Sequence, residues 1–143
     1  MSHVSGLFTR RGFNIHSIAV GVTENPEVSI MTIVLIGGED AQAQFKEQML
    51  KLADVLEVKA LPFEGSLVRE LLLIRVKADR DNRVQLFNIV EVFGGLVAEI
   101  TDESMLIEVH GSNRQVNSII NMFREYGIVE MARTGQIALE FQT

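Results

Sequence analysis

One repeated series of predicted elements constrains the fold more than any other feature of this sequence. Residues 67–143 show the pattern of strand, helix, strand, strand, helix and strand, followed by one extra strand. Residues 1–62 show the same series without its opening strand. Each such split βαβ unit forms an antiparallel sheet with two helices on one face. The predicted fold class is therefore α+β, with two ferredoxin-like βαββαβ units.

The elements of the second half are marked by apolar spacing and by glycines that end helices. Ser112 and Gln115 fit a capping box ahead of one helix, and Gly127 follows its end. We predict strands at 67–77, 96–101, 105–110, 128–132 and 136–141, and helices at 83–93 and 113–126.

The first half begins with helical spacing from Ser2 to Arg11, followed by two strands, a helix and a short third strand. These elements are predicted at 13–20, 28–36, 39–53 and 55–61, and Pro62–Ser66 reads as a linker. We therefore place the domains at 1–62 and 67–143.

The strand at 28–36 is apolar on both alternating sets, so we expect both of its faces to be covered. A partner chain is favoured by the apolar second faces of two strands, and the alternative is that the two units cover each other. The residues concerned are Met31, Ile33, Leu35, Leu71 and Leu73.

Composition excludes several function classes. The net charge of −6 disfavours nucleic-acid partners, and there is no cysteine for disulfides or thiolate chemistry. An RNA-recognition domain shares this strand order, but aromatic residues make up 6% of the chain and two strands beside the centre carry none. No apolar run is long enough to span a membrane, and no signal region opens the chain. We expect a soluble, cytoplasmic protein.

No constellation of residues supports catalysis. His3, His16 and His110 lie far apart on different elements, without a carboxylate at a spacing typical of zinc sites. The pairs Gly37-Gly38 and Gly94-Gly95 end regular elements and lack the lysine of a nucleotide-binding loop. We therefore predict no catalytic residue, cofactor or metal ion in this chain.

Asn14 stands out because asparagine is depleted in strands, where its side chain competes for backbone hydrogen bonds. At a strand entrance it indicates either a helix-to-strand turn or a polar contact with something outside the strand. The residue type alone leaves both interpretations open.

Four stretches carry a family resemblance. They are the run from Val4 to Ile15, which includes Arg11-Gly12-Phe13-Asn14-Ile15, then Leu50–Leu56, Val68–Val76 and Val129–Gly135. In this order they resemble the small regulatory subunit of acetohydroxyacid synthase, also called acetolactate synthase. The resemblance spans essentially the whole chain.

The resemblance implies that the first unit is an ACT domain and that two chains form a homodimer. In that family the paired domains bind a branched-chain amino acid, usually valine. The dimer docks on a separate catalytic subunit, on which thiamine diphosphate, FAD and magnesium are expected, and confers activation and feedback inhibition. Asn14 matches the family's effector-site asparagine, whose amide both donates and accepts hydrogen bonds. Ile15 is a candidate pocket wall, although a core role explains it equally well.

The sequence departs from the family pattern at its start. The family begins with a strand and a loop reading Asn-x-x-Gly before the first helix, whereas Met1 falls within or just before that helix. We expect the first sheet to lack a strand, with its edge exposed, and the effector site to lack that loop. The alternative function is a stand-alone ACT-like amino-acid sensor or interaction module without a synthase partner.

Overall fold

The computed structural model of the chain describes residues 13–142. Within them are two sheets and three helices, an α+β architecture consistent with two ferredoxin-like units. The strands are β1 Ile15–Val22, β2 Ser29–Leu35, β3 Ser66–Lys77, β4 Leu96–Ile100, β5 Ser104–Gly111, β6 Ile128–Arg133 and β7 Ile137–Glu140. The helices are α1 Glu39–Leu50, α2 Arg83–Val92 and α3 Asn113–Arg124. The helix predicted at Ser2–Arg11 lies outside the described residues.

The chain divides into two compact units. The first comprises the residues up to Leu67 together with those from Ala138 onwards, and the second is Val68–Ile137. The domain limits expected from the sequence, 1–62 and 67–143, stay a prediction.

In the first unit, β1 and β2 form the predicted antiparallel hairpin. The turn closes through backbone hydrogen bonds between Thr23 and Val28 (3.0 Å) and between Val28 and Asn25 (2.9 Å). The Asn25 carboxamide oxygen accepts from the Glu27 amide at 3.1 Å, an Asx turn that explains the asparagine at this position. Helix α1 follows and buries Phe45, whose ring meets the edge of Phe13 at 5.0 Å between centroids.

One strand expected in the first unit was wrong. Val55–Leu61 does not form a strand in the structure. Its pattern of apolar residues is typical of a strand, but a strand also needs a neighbouring backbone to pair with, and Leu56 is 80% exposed. Among the described residues of this single chain, Met31 to Leu35 are half-buried and Ile30 is 52% exposed, so the expected covering of both faces of β2 by a partner chain stays a prediction.

In the second unit the strand order is β4-β5-β3-β6. This is the order of a split βαβ unit, with β3 pairing antiparallel to both β5 and β6. The alternation predicted for β3 is confirmed, since Leu72, Ile74 and Val76 are fully buried while Leu73 is 43% exposed.

The hydrophobic core of the second unit lies between this sheet and helices α2 and α3. Its buried members besides the β3 residues are Ala78, Leu86, Val90, Met105, Ile107, Val109, Val116, Ile119, Ile120 and Phe123. The capping box predicted for α3 is present, with the Ser112 hydroxyl accepting from the Gln115 amide at 3.2 Å and the Gln115 side chain accepting from the Ser112 amide at 2.9 Å. The sheet face opposite the helices carries Arg75, which is paired with Glu99 at 2.9 Å and Glu130 at 3.2 Å.

Candidate functional site

The candidate site lies where β1 begins, β2 has ended and α1 is about to start. The backbone oxygen of Asn14 accepts a hydrogen bond from the Ile36 amide at 2.9 Å. This bond holds the segment before β1 beside Gly37 and Gly38, which lead into α1. Gly37 has φ +144°, and a Cβ there would meet the Ala41 Cβ at 3.0 Å, so the tight entry into the helix requires glycine.

Asn14 is exposed and lies one residue before β1. Its carboxamide makes no hydrogen bond to any other residue among 13–142, and a primary amide carries both a donor and an acceptor. The backbone bond to Ile36 would be made by any residue at this position and does not explain the asparagine. Its effector-binding role stays a prediction.

Ile15 is the first residue of β1, is half-buried and pairs in register with Leu35. The register shifts between Ile15 and Ser17, which marks a β-bulge or another irregularity at the strand entrance. Bulges bend a strand and re-aim side chains, and they are enriched beside functional sites. The role of Ile15 as a pocket wall stays a prediction beside its role in packing.

Ser17 was not singled out in the sequence. Its hydroxyl oxygen is buried and has no hydrogen-bond partner among residues 13–142. Leaving a buried polar group unpaired costs about 1–3 kcal/mol, so such groups commonly meet a ligand or a water molecule. A serine within a mostly apolar strand was the available signal, but serine is too common in strands to indicate a site without the burial.

The charges around this junction come from the first turn of α1. Gly38 caps that helix without a side-chain hydrogen bond, and Glu39 and Asp40 occupy the first turn. Their carboxylates complement the positive end of the helix dipole. Over the described range, no group of three or more histidine, aspartate or glutamate residues is arranged to hold a metal ion.

The hairpin also presents an apolar surface, which we call the hairpin face and define as Ile18, Val20, Met31 and Ile33. Ile18 pairs with Ile33 and Val20 with Met31, so the four side chains share one side of the sheet. Ile18 is 37% and Val20 47% exposed. Exposed apolar patches of this kind mark interaction surfaces.

None of the helices that the structure describes is long and apolar enough to cross a membrane.

Comparison with known families gives two matches that together span the chain. Residues 1–57 match the family described as the AHAS small subunit-like ACT domain, and residues 69–142 match the small subunit of acetolactate synthase. The two matches follow one another in the order of the two halves.

Individual relatives agree with the family matches. The chain is 40% identical over 139 residues to a probable acetolactate synthase small subunit from Archaeoglobus fulgidus, covering 97% of this chain and 87% of that protein. It is 37% identical to the acetolactate synthase small subunit of Mycolicibacterium smegmatis, covering 97% and 82%. Among solved structures, the acetolactate synthase small subunit of Thermotoga maritima superposes with a TM-score of 0.92 at 35% identity, covering 100% of this chain and 89% of that one.

Proposed function

The chain belongs to the family of acetolactate synthase small subunits, and from this premise we propose that it regulates a catalytic subunit in branched-chain amino acid biosynthesis. The observation that carries the proposal is the match of both halves in order, over 97% of the chain for the archaeal relative. This family is the regulatory and not the catalytic subunit of the enzyme. Thiamine diphosphate, FAD and magnesium are accordingly assigned to the catalytic partner.

The proposed effector is a branched-chain amino acid, whose charged ends and apolar side chain need different contacts. The Asn14 carboxamide is exposed and unengaged by the described residues, so it can donate to a carboxylate or accept from an ammonium group. Ile15, the next residue, is half-buried at the start of β1 and is the proposed apolar wall. The Ser17 hydroxyl, two residues further along β1, adds an unpaired polar group on the same strand.

The proposed assembly is a homodimer that uses the hairpin face. Homodimers with two-fold symmetry bring the same surface of each chain together, which suits a patch that is apolar throughout. An effector bound to such a dimer regulates the catalytic subunit only if it binds one conformation of the dimer more tightly than another. Allosteric coupling of this kind typically amounts to about 1–3 kcal/mol.

Reconstitution with a catalytic subunit tests the proposal directly. We expect the rate of acetolactate formation to rise when this chain is added to the catalytic subunit, and the two proteins to copurify. We also expect valine, leucine or isoleucine to lower the stimulated rate. If the catalytic subunit neither copurifies nor changes in activity, while calorimetry detects amino-acid binding, the chain is a stand-alone amino-acid sensor. If neither property is found, both readings are wrong.

Asn14→Ala is expected to weaken feedback inhibition without unfolding the protein. A hydrogen bond to a charged group is worth about 1.5–3 kcal/mol, so the effector concentration for half-inhibition should rise roughly tenfold or more. Because the side chain is exposed, the free energy of unfolding should change by less than about 0.5 kcal/mol. The measurement is inhibition of the reconstituted enzyme across an effector titration.

Asn121→Ala, at an exposed position on α3, provides the matched control and should leave inhibition unchanged. A large loss of stability in Asn14→Ala, combined with unchanged inhibition, would assign Asn14 to the helix-to-strand turn instead.

A further inference from the structure

Glu70 is a buried carboxylate of the second unit that has no part in the proposed function. Its side chain, on β3, is 2% exposed. One of its oxygens accepts from Nε of Arg133 at 2.6 Å, and the other accepts from the side-chain nitrogen of Asn113 at 3.2 Å. Arg133 is the last residue of β6, and Asn113 is the first residue of α3. Each oxygen of this carboxylate therefore has a different partner.

The guanidinium of Arg133 is bound at only one of its three nitrogens. A guanidinium carries donors on all three, and a carboxylate commonly accepts from two of them at once. In Arg133 the Nε–H group donates to Glu70, whereas Nη1 and Nη2 make no hydrogen bond or ion pair to any of residues 13–142. The second Glu70 oxygen, which a two-point contact would use, accepts from Asn113 instead.

Arg75, on the neighbouring strand β3, shows the opposite arrangement. Its Nη1 donates to Glu99 at 2.9 Å and its Nε donates to Glu130 at 3.2 Å, so two carboxylates face one guanidinium. The side chains of Arg75 and Arg133 are 26% and 30% exposed. The two arginines therefore differ in their partners and not in their accessibility.

The position of Arg133 is fixed by the backbone as well as by Glu70. Arg133 pairs in register with Leu72, and the next residue, Thr134, donates its amide to the Leu71 oxygen at 3.0 Å. A binding group that is already held in place loses less conformational entropy when its ligand arrives. The positive end of the α3 dipole lies at Asn113, where it offsets part of the Glu70 charge that would otherwise repel an anion.

We propose that Arg133 binds an oxyanion, taking a carboxylate or phosphate group of a small molecule on Nη1 and Nη2. The oxygens of both groups match the spacing of two guanidinium nitrogens, so each can bind at two points. Glu70 holds the guanidinium in place and keeps its own contacts when the anion binds. Arg133 belongs to the second unit and Asn14 to the first, so this site is separate from the proposed effector site and does not depend on it.

Titration of the full chain with sodium phosphate tests the proposal, with sodium chloride holding the ionic strength constant. The readout is the NMR signal of each arginine Nε–H group, and the Arg133 signal is the one that Arg133→Lys removes. Phosphate should shift the Arg133 signal until it saturates and leave the Arg75 signal unchanged, because two carboxylates already engage Arg75. Equal shifts of both signals would indicate general ionic effects and overturn the proposal.

A parallel titration with sodium acetate distinguishes the two kinds of ligand. Saturation with acetate alone would identify the ligand group as a carboxylate, and saturation with phosphate alone would identify it as a phosphate. Saturation with both would support the shared oxyanion chemistry. The absence of a saturable shift with either salt would show that Arg133 serves only to pair with Glu70, and the proposal would be wrong.

Arg133→Lys also tests the geometry, because lysine keeps a positive charge beside Glu70 and lacks the two terminal nitrogens. Anion binding, followed in this variant by the backbone amide signal of Thr134, should weaken by roughly tenfold or more, as expected for the loss of one charge-assisted hydrogen bond. Arg75→Lys is the matched control and should leave the affinity unchanged. Unchanged affinity in Arg133→Lys would overturn the proposal. If that variant does not fold, the native titration decides, with Arg75 as its internal control.

Discussion

Phe123→Ala is expected to destabilise the second unit by about 3–5 kcal/mol, the range for truncating a large aromatic side chain in a core. The Phe123 ring is fully buried on α3 and belongs to the core between the sheet and the two helices. Alanine loses the transfer free energy of the ring and leaves a cavity that the surrounding side chains fill only in part. Because small domains are typically stable by about 5–15 kcal/mol, this one change removes a large share of the total.

The chain contains a convenient reporter for this measurement. It has one tyrosine and no tryptophan, and Tyr126 lies in the second unit, where its hydroxyl donates to the side-chain Oε1 of Gln85 at 3.2 Å. Urea unfolding followed by tyrosine fluorescence therefore reports on the second unit. Phe63→Ala is the control, because Phe63 is 78% exposed and its truncation should change the midpoint little. Equal midpoints for the two variants would contradict the assigned core.

The predictable parts of the fold are those determined by residues close together in the sequence. The helix α3 combines an apolar stripe with the Ser112 capping box, so its start was predicted correctly and its end two residues late. Burial alternates along the whole length of β3, as the two-residue period of a strand predicts. The strand expected at Val55–Leu61 was wrong because its apolar pattern satisfies only the local requirement, and pairing depends on a distant backbone.

The same distinction separates the predicted from the unpredicted parts of the candidate sites. Asn14 was singled out because asparagine is depleted in strands, and its predicted effector role came from the family resemblance. The burial of the Ser17 hydroxyl depends on packing, which sequence spacing does not specify. Glu70 and Arg133 are 63 residues apart in sequence, and only the pairing of β3 with β6 brings them together. Apolar periodicity and motif spacing do not predict long-range contacts of this kind.

Gly95→Ala is expected to destabilise the second unit by about 1–3 kcal/mol through overpacking. A Cβ at this position would lie 2.9 Å from Val109 Cγ2, 3.0 Å from the Glu108 carbonyl oxygen and 3.2 Å from Val90 Cγ1. Two of these atoms belong to buried core side chains and one to the backbone of β5, so the crowding cannot be relieved by a flexible side chain. The close approach of this loop to β5 therefore requires glycine.

The adjacent Gly94 provides the comparison for this prediction, because its requirement for glycine has a different origin. Gly94 has φ +70°, and a Cβ there would have no heavy atom within 4 Å, so Gly94→Ala introduces backbone strain of about 1–2 kcal/mol without crowding. Shortening Val109 to alanine should therefore recover part of the lost stability in Gly95→Ala and none in Gly94→Ala. Urea unfolding of the single and double variants, followed by Tyr126 fluorescence, measures the coupling free energy between Val109 and each of the two glycines. Equal coupling of Val109 to the two glycines would show that crowding is not the reason for Gly95.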